Sequence, residues 1–221
     1  VTFLGVDAYD AIGIALASDV LPSAVSAYTY ARNKSIDIRN GLVMMVSVLV
    51  MTTVGSWLSS LVPSSALGNT SVLMLVLLGL KFLILPVTST RRTMEGESLA
   101  IRVLKGILGG SVIGLVCGFF GAGGGMMMLL VLTVVLGYEL KTAVGTSVFI
   151  MTFSALTGAV SHVAMGSRPQ FDLLVLCILF TLGWAQVAAR IATRASTLLL
   201  NRMTGAVLTV LGVVLIVINY C

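Results

Sequence analysis

The sequence predicts an all-α, polytopic membrane bundle, and three observations carry that expectation. Of its 221 residues, 58% are hydrophobic and only 10% charged, whereas an average soluble domain is about half apolar and a quarter charged. Charges are missing over long runs: Asn40 to Leu80 (41 residues), Gly106 to Tyr138 (33), Thr142 to Ser167 (26) and Met203 to Cys221 (19). A spanning helix needs about 20 apolar residues, so each run holds one or two. Third, the two halves of the chain resemble each other. These features exclude a soluble enzyme, a disordered tail and a nucleic-acid module. The segments are continuously apolar rather than alternating, which argues against a porin-type barrel.

Eight apolar segments follow in order. The first, 8–31, carries Asp19 beside Ser18, with Pro22 three residues on. Segments 42–61 and 71–87 come next, the latter containing Lys81. A long polar connection, Thr88 to Lys105, is the natural seam between halves. Beyond it lie 104–120, 126–137, 142–164, 173–190 and 203–220. Mean hydropathy is +1.11. Three cysteines (Cys117, Cys177, Cys221) and one histidine form no cluster, so neither a disulfide framework nor a metal or haem cofactor is expected.

The halves match at fixed offsets. Leu4-Gly5 and Ala11-Ile12-Gly13 correspond to Leu136-Gly137 and Ala143-Val144-Gly145, with Asp7 opposite Glu139. Trp57-Leu58-Ser59-Ser60 lies opposite Gln186-Val187-Ala188-Ala189. Residues 1–90 then form a first repeat, 91–103 a connecting loop and 104–221 a second, complete repeat. The glycine-rich segment that leads the second repeat has no counterpart in the first, so the first is expected to be N-terminally truncated.

Charge decides the topology. If 104–137 crosses once, eight basic loop residues face one side and four the other. If it goes in and comes back, Arg32, Lys34, Arg39, Arg91, Arg92, Arg102, Lys105, Lys141, Arg190, Arg194 and Arg202 share one side and only Arg168 faces the other. The second count obeys the positive-inside rule far better. It places loops 31–40, 88–105 and 190–202 in the cytoplasm of an inner-membrane protein. As a single helix, 106–138 would also be about 50 Å long, too long for a hydrocarbon core of about 30 Å. The turn belongs at Gly121-Ala122-Gly123-Gly124-Gly125, where four glycines in five residues cannot hold a helix. Each complete repeat then makes an odd number of passes, so the two are inverted, a plan common among secondary transporters with interrupted helices.

The same break is the first candidate site. Irregular backbone inside a bilayer survives only where it is packed in protein or lines a wet cavity, and bare helix N–H groups attract anions. Gly121, Gly123, Gly124 and Gly125 are therefore candidate binding positions for a small anion. The alternative is a small-residue packing seam, which Gly114 and Gly118 fit well. Gly145, Thr146 and Ser147 open the next helix; the hydroxyls could reach the ligand or bond to their own helix backbone. Asp19 is a candidate coupling residue for a proton or cation, with Ser18 beside it, because acids within the membrane are costly unless functional or paired. A pair with Lys81, or a bond to Ser18 or Ser23, is the alternative. Lys81 can snorkel to the interface, and His162, near a helix end, is a gate or interface residue.

Together, Gly118-Phe119-Phe120-Gly121-Ala122-Gly123-Gly124-Gly125, then Ala143-Val144-Gly145-Thr146-Ser147, then His162 with Gly166 resemble the sulfite exporter TauE/SafE family of membrane permeases. The resemblance covers 104–221 in order and, more faintly, 5–87. It implies transport of sulfur-containing anions such as sulfite or organosulfonates, driven by an ion gradient. The other readings are a membrane-embedded enzyme and a structural subunit without a substrate. A Ser147–His162 hydrolytic pair fails, since about 22 Å would separate them along one helix and a nucleophile needs its base within hydrogen-bond reach.

Overall fold

The computed structural model describes residues 5–85, 99–121, 124–138, 140–192 and 197–220. Eight α-helices make up these residues: α1 (Ala8–Arg32), α2 (Ile38–Ser60), α3 (Ser64–Ile84), α4 (Leu99–Phe120), α5 (Gly124–Leu130), α6 (Leu140–Ala164), α7 (Phe171–Ala192) and α8 (Thr197–Tyr220). Five are long and apolar enough to cross a membrane, namely Ala8–Arg32, Gly41–Ser60, Ser64–Ile84, Ala100–Phe120 and Lys141–Ala164. The chain is an all-α, multi-pass membrane protein.

Local chemistry sets several boundaries. Asp7 accepts the Tyr9 amide at 2.9 Å and caps α1, satisfying one donor that the first turn leaves orphaned. The Ser64 hydroxyl holds the Asp7 carboxyl below its ordinary pKa, which ties the start of α1 to the start of α3. α1 continues through Pro22. Proline has no N–H, so the Ser18 carbonyl one turn back loses its helical donor next to Asp19.

The outer surface is apolar: Val46, Val50, Leu77, Phe180 and Trp184 are all exposed. The interior instead collects polar groups, including Ser18, Thr52, Ser56, Ser59, Thr146, Ser154 and His162. Lipid is as apolar as leucine, so packing and hydrogen bonds rather than hydrophobic burial hold such helices together.

Close packing is clearest between α2 and α4. A Cβ added at Gly110, Gly114 or Gly118 would run into the carbonyl oxygen of Met44, Val48 or Thr52, respectively. The matched order makes these helices parallel, and the four-residue spacing brings two backbones into direct contact. α6 also runs parallel to α2, since Gly41 meets Thr146 and Thr52 meets Ser154. Two successive parallel helices, α4 and α6, require the chain between them to return. It does: Gly124 lies against Cys117, whereas Val131 lies against Gly109. α4 and the segment from Gly124 to Val131 therefore run in opposite directions. Val131–Val135 prolong α5 as a π-helical turn.

The internal repeat appears in backbone detail. α1 and α6 both have 25 residues, and each boundary of α6 matches that of α1 at the offset relating Leu4-Gly5 to Leu136-Gly137. Left-handed backbone recurs at that offset: Gly5 (φ 61°) with Gly137 (φ 64°), and Lys34 (φ 53°) with Gly166 (φ 104°). The closing hydrogen bond Ser35 N–H to Tyr30 O recurs as Ser167 N–H to His162 O. α1 packs antiparallel to α6, with Gly13 near His162 and Gly145 near Tyr30. α3 packs antiparallel to α8, with Val76 near Gly212 and Leu83 near Gly205. Opposed pairs of this kind are what an inverted repeat produces.

Candidate functional site

The break after α4 comes where the glycine run predicts it. The helix stops at Phe120, and Gly121 adopts φ 68°, a conformation that favours glycine. A Cβ on Gly121 would lie 2.6 Å from Ile12 Cγ2, so close approach adds a second reason for glycine. Gly123 lies outside the described residues. Gly124 sits where a Cβ would be 3.0 Å from Cys117 Sγ, and Gly125 where it would be 2.8 Å from Met151 Sδ. The start of α5 is thus enclosed by α4 and α6 at the middle of the bundle.

Three buried side chains not singled out from the sequence converge there. Thr52 Oγ1 and Ser154 Oγ are 3.1 Å apart, and the Ser154 hydroxyl lies 3.7 Å from Cys117 Sγ. Leu16 packs on Gly158, so the antiparallel register of α1 on α6 brings Asp19, about one turn on, level with Ala155 beside Ser154. Asp19, Cys117, Gly124, Thr52 and Ser154 therefore bring polar atoms from α1, α2, α4, α5 and α6 to one level. The signal was faint: Thr52 and Ser154 are two hydroxyls among several in their segments (Thr53 and Ser56 near one, Thr152 and Thr157 near the other), and only the register of α2 on α6 joins them.

Other expected residues lie elsewhere. The Ser18 hydroxyl donates back to the Ile14 carbonyl. Ser147 likewise donates to Val144 O at 2.9 Å, bonding to its own helix. Thr146 is fully buried and accepts the Asp37 amide at 3.1 Å, at the α1–α2 loop. Gly145 packs against the Ser35 carbonyl, with its would-be Cβ 3.1 Å from Tyr30 Cβ. The 145–147 element is thus one to two turns along α6 from Met151 and the start of α5. Lys81 places Nζ 4.5 Å from the centre of the Phe82 ring. With Lys105 it lines an otherwise apolar cavity of about 520 Å³ between α3, α4 and the hairpin, apart from the Asp19 cluster. His162 is fully buried and stacks on Tyr9 with ring centres 4.5 Å apart.

Comparison with known proteins agrees with this architecture. The profile of the family described as sulfite exporter TauE/SafE matches residues 1–215. The probable membrane transporter protein YunE of Bacillus subtilis (strain 168) is 26% identical over 169 residues, covering 71% of this chain and 62% of that protein. The chain thus spans less than two thirds of that relative. The probable membrane transporter protein YdhB of the same organism is 24% identical over 182 residues, covering 82% of this chain and 74% of the relative. No solved structure gives a significant match. A polytopic bundle with a returning glycine hairpin, matched by one profile almost end to end, makes this chain a member of the sulfite exporter TauE/SafE family of membrane transporters.

Proposed function

We propose that the protein is an ion-coupled permease for small oxyanions, sulfur-containing ones such as sulfite or organosulfonates first among them. The observation that carries this reading is the meeting of the broken helix with Asp19, Thr52, Ser154 and Cys117 at mid-bundle. The first amides of a helix lack intrahelical partners and attract anions. Here Gly124 and Gly125 carry no side chain of their own to cover that backbone. Hydroxyl and thiol donors in the same layer add hydrogen bonds without fixed positive charge, so release stays easy. Asp19 is the coupling group, holding a proton or cation for part of the cycle. The membrane is the cell (inner) membrane, with loops 31–40, 88–105 and 190–202 in the cytoplasm by the positive-inside rule.

The test is flux in proteoliposomes. Gly124→Leu should lower sulfite flux about a hundredfold by filling the cradle, the scale of loss expected when a bound group is misplaced by about 1 Å. Equal sulfite binding and flux in wild type and the variant would overturn the site. A substrate panel at two pH values then ranks sulfite against sulfonates and identifies the coupling ion.

A further inference from the structure

His162 is the sequence's one histidine, and its two ring nitrogens are treated very differently. Nδ1 lies 2.9 Å from the Gly158 carbonyl. A carbonyl only accepts, so Nδ1 carries the hydrogen, and in the neutral ring Nε2 is left as an acceptor. Nε2 is buried with no partner among the described residues, and so is Ser59 Oγ. Both residues are 0% exposed.

The register of the helices brings the two residues to one level. α2 runs parallel to α6, with Thr52 level with Ser154 and Gly158. About two turns along α2 from Thr52, and one to two along α6 from Gly158 and Ser154, bring Ser59 level with His162. Tyr9 spans the gap between them: its ring stacks on the imidazole and its hydroxyl reaches the Ser56 carbonyl at 3.5 Å. The tip of the glycine hairpin adjoins this layer, since Gly121 packs on Ile12, one turn from Tyr9. The repeat places Tyr30 at the position equivalent to His162, so this chemistry exists at one end of the bundle only. A buried acceptor and a buried hydroxyl left open together mark a place for a ligand, because buried polar groups are otherwise hydrogen-bonded.

We infer that His162 Nε2 and Ser59 Oγ, covered by Tyr9, form a second anion pocket at the sparsely basic end of the bundle, selective for singly protonated oxyanions. The inference rests on the anion-permease reading. Nε2 needs a donor, which an oxyanion bearing one O–H supplies and a sulfonate lacks. The Ser59 hydroxyl donates to another oxygen of the same anion. The proton stays in the complex, shared between Nε2 and the oxyanion oxygen, so anion and proton enter together. Few other groups compete for it. Tyr9 is the titratable neighbour on α1, and the adjacent Asp10 is engaged by the Ser167 hydroxyl at 2.7 Å and the Arg168 amide at 2.8 Å. Among the described residues, α2 contributes Ser56 and Ser59 here, and Cys117 of α4 lies about two turns deeper, level with Thr52 and Ser154.

With one histidine, diethyl pyrocarbonate reports on Nε2 directly. The purified protein in detergent should be carbethoxylated at His162 while folded; failure to react would mean a dry, sealed ring and would overturn the pocket. Sulfite, bicarbonate and phosphate near neutral pH should slow the reaction about tenfold, the effect of a strong hydrogen bond, and methanesulfonate should not. Equal protection by methanesulfonate would overturn the selectivity, and protection by no anion would overturn the site. Protection by phosphate or bicarbonate but not sulfite would keep the pocket and remove sulfite from the proposed function. Ser59→Ala should fold, react as fast as wild type and lose most of the protection; full protection in that variant would remove Ser59 from the pocket.

Discussion

Tyr138, where the returning hairpin ends, donates its hydroxyl to Asp37 Oδ2 at 2.9 Å, across 101 positions of sequence. The Asp37 amide in turn donates to Thr146 Oγ1 at 3.1 Å. One loop residue thus fastens both the end of the hairpin and the start of α6. The equivalent contact in the other repeat is lost on both sides: Ile14 has no hydroxyl and Pro169 no N–H.

Removing the Tyr138 hydroxyl tests this fastening. Tyr138→Phe should cost about 2 kcal/mol, typical of a hydrogen bond to a charged group. Thermal unfolding in detergent reads it as a lower midpoint. An unchanged midpoint would mean that the hairpin is held by packing alone.

The glycine stripe of α4 makes a sharper prediction. Gly114→Ala pushes a methyl into the Val48 carbonyl, and backbone cannot step aside as a side chain can. Overpacking of this kind costs about 1–3 kcal/mol, and the upper end is expected. At Gly183, on α7, an added methyl would meet nothing within 4 Å, so Gly183→Ala should leave the midpoint unchanged or raise it slightly. Equal effects at the two positions would contradict the packing assigned to α2 and α4.

Acid should loosen the start of α1. The Asp7 carboxylate accepts from Ser64 and from the Tyr9 and Asp10 amides, and its pKa lies below the ordinary value. A depressed folded-state pKa stabilises above the unfolded value, near 3.9, and that contribution disappears as pH falls through the folded value. Asp7→Asn should therefore weaken the protein at pH 7 yet flatten its stability profile between about pH 5 and pH 3. Parallel profiles for variant and wild type would exclude this role.

Asp19→Asn removes the charge and keeps the shape. If Asp19 couples transport, the variant should still exchange internal for external anion but lose pH-driven accumulation, leaving the two pools at equilibrium. Preserved accumulation would transfer coupling elsewhere in the bundle.

Much of the fold was legible because lipid constrains sequence strongly. Uninterrupted apolar runs could only be helices, and the glycine run marked the interruption, although Gly124 and Gly125 already form the first turn of α5. Basic residues, counted by side, singled out the returning hairpin that Gly124 on Cys117 and Val131 on Gly109 trace in space. The site was less legible. Thr52, Ser154 and Ser59 gain meaning only from the parallel register of α2 on α6, which no local pattern encodes. Ser147 and Thr146 looked alike in sequence, yet one bonds to its own helix and the other to the Asp37 amide. Cys117 reads as an inert core thiol until Gly124 is seen to rest on it.

The stripe of glycines on α4 finally constrains how the molecule can move. α4 follows the seam in sequence, yet its backbone is wedged against α2, which precedes it; α1 grips α6, and α3 grips α8, across the same divide. Sequence halves interlaced in this way cannot rock past each other as intact blocks. Any alternation of access must shift mixed bodies, each assembled from helices of both halves of the polypeptide.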